Sequence, residues 1–275
     1  MDVTTADSYA DTSPRGPLLG DKVIAVTGVG AGLGREITTT LLRDGARVVV
    51  AARDASSLND IVEPLDPTGE HVAVATADIC VPEDCDRIVE TATRVFGGLD
   101  GLVQVAAYEG AAGGLMAFDA DRLRRSVEVN VIGSLQMVRS AAAVMSESGG
   151  GSVVVIGSQA SMLPLIPQIG YAASKGALHS AVRHMARELG RERIRVNSVV
   201  PSWMWGPNVA LYVSWQASSR GVSEEEVRRE ITAGIPLGEI VPDEDVADAV
   251  AFLMSDRARS ITGQALLVNG GEHMP

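Results

Sequence analysis

At 275 residues, 46% of them hydrophobic, the chain is long enough to bury one sizeable core and reads as a single globular domain. Its net charge of −12 and pI near 4.8 exclude the basic face needed to bind nucleic acid or an anionic membrane surface. Two cysteines (80 and 85) and four histidines without metal-ligand spacing predict no disulfide framework, no metal site and a reducing, cytoplasmic setting, and no run approaches the ~18 apolar residues of a membrane span.

Met1 to about Gly20 is polar, acidic and rich in Ser, Thr and Asp, and reads as a disordered or loosely attached arm ahead of a domain over 21–275. Lys22 to Val26 reads as a buried strand, followed by T-G-V-G-A-G-L-G. Leu33, Ile37 and Leu41 then repeat at helical spacing until Gly45. A glycine-rich turn between strand and helix lets backbone N–H groups approach a pyrophosphate at the positive helix end; the alternative is a tight turn that needs glycine only for its backbone angles. The candidate cradle is Gly28, Gly30, Gly32, Leu33 and Gly34. The second strand, Arg47 to Ala52, ends where NAD-binding sheets usually carry an acid, but here Arg53 follows. A guanidinium there can bind a 2′-phosphate, which favours NADP(H) with NAD(H) as the alternative, although Asp54 could blunt the charge.

A third strand, His71 to Ala75, leads to Asp78 and Ile79, which can border an adenine ring. Residues 82–96 read as a helix and Leu99 to Ala106 as a fourth strand. A long helix then carries Asn130, a poor helix-interior residue, which implies either a kink aimed at the site or a solvent-facing amide. Ser152 to Ile156 is a further buried strand with Ser158 at its carboxyl end. Tyr171, Lys175, Leu178, Val182, Met185 and Leu189 share one helical stripe, whose first two members are polar and one turn apart. A helix returning from that strand starts at the same sheet edge, so Ser158, Tyr171 and Lys175 can converge where open α/β sheets bind ligands. A hydroxyl to hold a carbonyl oxygen, a phenol to protonate it and an ammonium to lower the phenol pKa would make a carbonyl-reduction site.

A sixth strand, Ile194 to Val199, precedes the segment 203–235, which holds all three tryptophans. Trp203, Met204, Trp205, Tyr212 and Trp215 are expected to lid the site and line an apolar substrate pocket, the alternative being burial against a neighbouring subunit. A helix over Asp243 to Met254 and a strand over Ile261 to Val268 complete a doubly wound parallel sheet of about seven strands with helices on both faces.

With T-G-V-G-A-G-L-G, Asn130 in N-V-I-G, Ser158, Y-A-A-S-K, R-V-N-S-V-V-P and I-T-G-Q-A-L-L-V-N-G-G in place, residues 20–272 resemble the short-chain dehydrogenase/reductase family. Its W-M-W-G-P segment looks like an actinobacterial subset. The resemblance implies a Rossmann-type fold, a nicotinamide cofactor and a catalytic tetrad of Asn130, Ser158, Tyr171 and Lys175. In that tetrad Tyr171 is the general acid/base, Ser158 polarises the carbonyl, Lys175 holds the nicotinamide ribose, and Asn130 anchors a relay water. It adds Ala106 and Pro201 as cofactor contacts and implies a homotetramer or homodimer. Two departures stand out. Gln104-Val-Ala-Ala107 replaces N-N-A-G, and P-S-W-M-W-G puts Gly206 where a threonine is usual. The expected activity is hydride transfer between nicotinamide and a bulky, apolar ketone or secondary alcohol. One alternative is a 3-oxoacyl thioester reductase whose carrier docks on the arginines at 187, 191, 193 and 195. The other is a nicotinamide-sensing binding protein with little catalysis.

Overall fold

The computed structural model describes residues 17–110 and 113–275. Seven parallel strands form one sheet in the order β3-β2-β1-β4-β5-β6-β7: β1 Val23–Thr27, β2 Arg47–Ala52, β3 Val72–Thr76, β4 Gly101–Gln104, β5 Gly151–Ile156, β6 Ile194–Pro201 and β7 Ala265–Val268. Their near-continuous apolar runs are the mark of strands covered on both faces. Alternation along each strand sends successive residues to opposite cores. Val23, Ala25, Val49, Val153 and Val155 pack with helices α3 (Pro82–Phe96), α5 (Ser134–Glu147) and α6 (Ile169–Leu189). Ile24, Val26, Val48, Val50 and Val154 pack with α1 (Leu33–Arg43) and α9 (Asp243–Met254). The remaining helices are α2 (Ala55–Leu65), α4 (Ala120–Val127), α7 (Pro207–Arg220) and α8 (Glu224–Thr232). This is a Rossmann-type α/β fold whose strand order reverses between β1 and β4, and the crevice at their carboxyl ends is where such sheets bind ligands.

Three expectations need correction. The loose N-terminal arm does not extend to Gly20: Leu19 is fully buried in the α1/α9 core and its N–H donates to the Asp44 carbonyl. Met1 to Gly16 lie outside the described residues. The long helix carrying Asn130 is interrupted, which decides between the two alternatives: a π turn over Glu128–Gly133 lies between α4 and α5, and the Asn130 amide is buried rather than solvent-facing. Strand β4 stops at Gln104, two residues early, because the chain turns back on that side chain. Thr27 Oγ1 donates to Gln104 Oε1 at 2.6 Å, and Gln104 Nε2 donates to the Ala106 carbonyl at 3.3 Å. Gln104 thus supplies the strand-to-strand tie that the departure from N-N-A-G put in question.

Candidate active site

A cleft of about 700 Å³ opens at the carboxyl ends of β1, β4 and β5. Its floor is the turn from β1 into α1. Gly28 sits at φ +72, where an L side chain is strained, and a Cβ there would lie 2.9 Å from the Ala106 Cβ and nearer still to its backbone. Gly34 is also spatially required, since its Cβ would lie 2.8 Å from the Gly28 carbonyl oxygen. Gly30 has no neighbour within 4 Å, and the N-terminus of α1 receives no side-chain cap. The turn therefore offers uncapped N–H groups at a positive helix end with open space in front of them, a fit for the pyrophosphate of a dinucleotide. Leu33, Ala106 and Pro201 line the same cleft.

At one end of the cleft lie Arg53, Asp54, Asp78 and Ile79. Asp54 makes no ion pair with Arg53 among the described residues; its carboxylate caps α2 instead. It accepts from the Ser56 N–H at 3.0 Å and the Ser57 hydroxyl at 2.6 Å, and these bonds, the Ser57 one foremost, hold it below the usual carboxylate range. Burial works to raise Asp78, but the Cys80 N–H and the guanidinia of Arg125 and Arg53 keep it low; its ion pair, at 3.9 Å, is with Arg125. Arg53 is exposed and has no ion pair among the described residues.

Ser158, Tyr171 and Lys175 meet at the other end. Ser158 follows β5, and its Oγ accepts from the Ala160 N–H at 3.2 Å. Lys175, one turn after Tyr171 on α6, is only 3% exposed; its Nζ lies 5.8 Å from the Tyr171 ring centre and donates to the Ile156 carbonyl at 2.8 Å. Burial pushes Lys175 down to about 8, against the pull of the Glu109 carboxylate. Burial likewise raises the Tyr171 phenol above its ordinary value, Glu109 adds to the rise, and the Ser158 hydroxyl opposes it. The expectation of a phenol made acidic by its lysine is thus reversed. Desolvation disfavours both charged forms, and the ammonium is directed at a carbonyl rather than at the phenol oxygen.

Asn130 is fully buried but does not line the cleft. Its Oδ1 accepts from the Tyr108 N–H at 2.7 Å, and its Nδ2 donates to the Tyr108 carbonyl at 3.1 Å and to Ser174 Oγ at 2.9 Å. Ser174 in turn donates to the Tyr171 carbonyl at 2.8 Å. Asn130 therefore splints the loop after β4 to the helix that carries Tyr171 and Lys175. Sequence reasoning passed over Ser174, Tyr108 and Glu109; only the YAASK segment, which contains Ser174, carried any signal for them.

The aromatic segment divides. Met204 lines the main cleft together with Gly206 and Pro207. Trp203 lines an adjoining cavity of about 90 Å³ with Ser158, Gln159, Leu163, Leu165 and Ile166. Trp205 and Tyr212 instead join a satellite core around Val213, Ala217 and Val227, where the Arg228 guanidinium lies 3.9 Å above the Trp205 ring. Trp215 is 61% exposed. The expectation that all five line the pocket is corrected accordingly: α7 and α8 need an apolar seam of their own, and that seam takes the rings. Gln159 and Ser202, beneath the small cavity, both donate to Glu272 of the C-terminal tail, and Asn269 Nδ2 donates to Gln159 Oε1 at 2.7 Å. The arginines at 187, 191, 193 and 195 lie about the start of β6, at the sheet edge opposite the cleft, and Arg195 is turned inward to the Ser255 carbonyl. Among the described residues no cluster of three or more His, Cys, Asp or Glu could hold a metal, and no helix is long and apolar enough to cross a membrane.

Residues 28–273 match a protein family described as enoyl-(acyl carrier protein) reductase. The chain is 32% identical over 253 residues to 2-(S)-hydroxypropyl-CoM dehydrogenase 3 of Xanthobacter autotrophicus, covering 92% of this chain and 97% of that one. It is 32% identical over 256 residues to the 7alpha-hydroxysteroid dehydrogenase of Escherichia coli K12, covering 92% and 94%. Among solved structures, an actinorhodin polyketide ketoreductase with NADPH superposes with a TM-score of 0.84 at 30% identity, covering 91% and 97%.

Proposed function

Since the chain belongs to the short-chain dehydrogenase/reductase family, NAD(P)-dependent oxidoreductases acting on alcohols and ketones, we propose that it interconverts a bulky, apolar ketone and its secondary alcohol, with Tyr171 as general acid/base. The observation that carries this reading is the meeting of Ser158, Tyr171 and Lys175 on the same cleft as the glycine turn. The bound nicotinamide supplies or accepts the hydride. Ser158 and Tyr171 hold the carbonyl oxygen by hydrogen bonds that strengthen as negative charge develops there, and the phenol delivers its proton to that oxygen. Burial and the Glu109 carboxylate hold the Tyr171 phenol in its neutral form, the form from which a carbonyl is protonated, and disfavour the phenolate that the alcohol direction requires. Lys175 would hold the cofactor ribose, and Asn130 keeps α6 and the loop after β4 in register.

Substrate apolarity is supported by Leu163, Leu165, Ile166 and Trp203 around the small cavity at Ser158, and by the hydroxysteroid substrate of one relative. NADP(H) is favoured over NAD(H) because Arg53 has no ion pair among the described residues, Asp54 caps α2, and a similar ketoreductase holds NADPH. Ile132 and Leu135 on the Asn130 helix and Leu266 on the edge strand are exposed, which supports a homotetramer or homodimer. The segment 203–235 remains our candidate lid, with a cytoplasmic location and kinship to the actinobacterial W-M-W-G-P subset part of the same reading.

A panel of hydrophobic ketones and alcohols, assayed with both cofactors at the nicotinamide absorbance band, tests the proposal. Tyr171→Phe should cut turnover at least ~100-fold while dinucleotide binding stays near normal. Full activity in that variant would remove Tyr171 from its role, and faster turnover of an acetoacetyl thioester than of any ketone would favour the thioester reductase. Against the latter stands the position of the four arginines, a strand length away from the cleft.

A further inference from the structure

Two segments 99 residues apart are joined at the Tyr171 end of the cleft by one hydrogen bond: Asn208 Nδ2, in the first turn of α7, donates to Glu109 Oε2 at 2.9 Å. Both residues line the cleft with Tyr171 and Lys175. The Glu109 carboxylate is near enough to raise the phenol and to resist the fall of the lysine. Of the other carboxylates lining the cleft, Asp54 and Asp78 follow β2 and β3 at the opposite end. Glu272 lies behind Gln159 and Ser202, engaged by both, and does not reach the cleft surface. Glu109 is therefore the one acid beside the Tyr171–Lys175 pair among the described lining residues.

If this is a nicotinamide site, the ring must lie within hydride reach of the carbon whose oxygen Tyr171 protonates, and so in the field of Glu109. The oxidised ring carries one positive charge and the reduced ring none, while the rest of the dinucleotide is the same in both. We propose that Glu109, held by Asn208, makes the site bind the oxidised nicotinamide dinucleotide in preference to the reduced one. The inference rests on the cofactor reading above. Glu109 and Asn208 are both exposed, so the charge is screened by solvent; at an effective dielectric of ~40, about half that of water, a unit charge ~6 Å away discriminates by about tenfold. Tenfold corresponds to about 30 mV in the potential of a two-electron couple. The bound couple becomes harder to reduce, and the equilibrium on the protein is displaced toward alcohol and oxidised cofactor.

Binding alone tests this, without a known substrate. Dissociation constants of NADP+ and NADPH are measured by calorimetry for the wild type, Glu109→Gln and Asn208→Ala. Gln at 109 still offers an oxygen to the Asn208 amide, so the bridge survives and only the charge is lost. The ratio of oxidised to reduced Kd should rise about tenfold in Glu109→Gln through weaker oxidised binding, and by less in Asn208→Ala, whose carboxylate is untethered but charged. Raising salt should move the wild-type ratio toward that of Glu109→Gln, because effects common to both dinucleotides cancel. An unchanged or lowered ratio in Glu109→Gln overturns the proposal alone. A wild type that binds neither dinucleotide overturns both this proposal and the cofactor reading.

Discussion

Gly28 and Gly30 stand two residues apart in one turn, yet their surroundings demand different things of them. At Gly28 the backbone is left-handed (φ +72), and a methyl group would press into Ala106, its Cβ 2.9 Å away. Gly28→Ala meets the ~1–2 kcal/mol cost of the left-handed region and the ~1–3 kcal/mol typical of overpacking, together about 2–5 kcal/mol. For a chain of this length, at about 2 °C per kcal/mol, the midpoint of thermal unfolding should fall by roughly 4–10 °C. At Gly30 nothing lies within 4 Å of the added carbon. Gly30→Ala should therefore leave the melting temperature within about 1 °C of wild type, since any change comes from the unfolded chain. Its methyl group instead occupies the space in front of the turn, where the phosphates are to approach the backbone, and dinucleotide binding should weaken at least ~tenfold. Thermal unfolding without ligand and calorimetric titration with NADPH separate the two effects. Wild-type affinity in Gly30→Ala would mean that the phosphates do not lie against this turn. An unchanged melting temperature in Gly28→Ala would contradict the close approach of the two strand ends.

Arg53→Ala should weaken NADPH far more than NADH, and equal losses for both would reject contact with a 2′-phosphate. Lys175, pushed down to about 8 from an unfolded value of 10.5, sheds a proton in the folded protein that the unfolded chain keeps. The unfolded state then binds more protons above pH 8. The penalty of the buried charge, complete below pH 8, is therefore relieved as pH rises toward 10.5, by at most about 1.4 kcal/mol per pH unit. Denaturant titrations at pH 7.5, 8.5 and 9.5 (about one-unit steps) should show the wild type gaining on Lys175→Met by that slope, and parallel curves would refute the depressed value. Leu19→Ala should cost about 2–5 kcal/mol, because the side chain is fully buried in the core that α1 and α9 share; a near-neutral change would mean that this segment is not docked.

Much of the molecule was legible in local pattern. Val23–Thr27, Arg47–Ala52 and Gly151–Ile156 are apolar runs bounded by glycine or polar residues, and the stripe from Tyr171 to Leu189 has the period of a helix. Once parallel strands alternate with helices, every strand-to-helix turn falls on one sheet edge, so the glycine turn, Ser158 and the start of α6 had to assemble there. Periodicity fails where a residue's role depends on what is packed around it. Leu19 looked like part of a polar arm because the core it joins is assembled from segments spread along the whole chain, as far as α9. Asn130 could be recognised as a poor helix former, but not as the splint between Tyr108 and Ser174, because those contacts span 22 and 44 residues.

The sequence by itself determined the order of strands and helices and which hydroxyl, phenol and ammonium share an edge, because those follow from periods of two and 3.6 residues and from the handedness of the crossovers. Tertiary structure alone decided the direction in which that group's proton affinities move. One helical turn brings Lys175 near Tyr171, but burial against β5, the Ile156 carbonyl that takes the ammonium, and a carboxylate from another loop set which charges are favoured. It also decided that the Trp205 and Tyr212 rings fill the seam between α7 and α8 rather than the cleft. Desolvation and Coulomb energies sum over everything within several ångströms, and that neighbourhood exists only once the chain has folded.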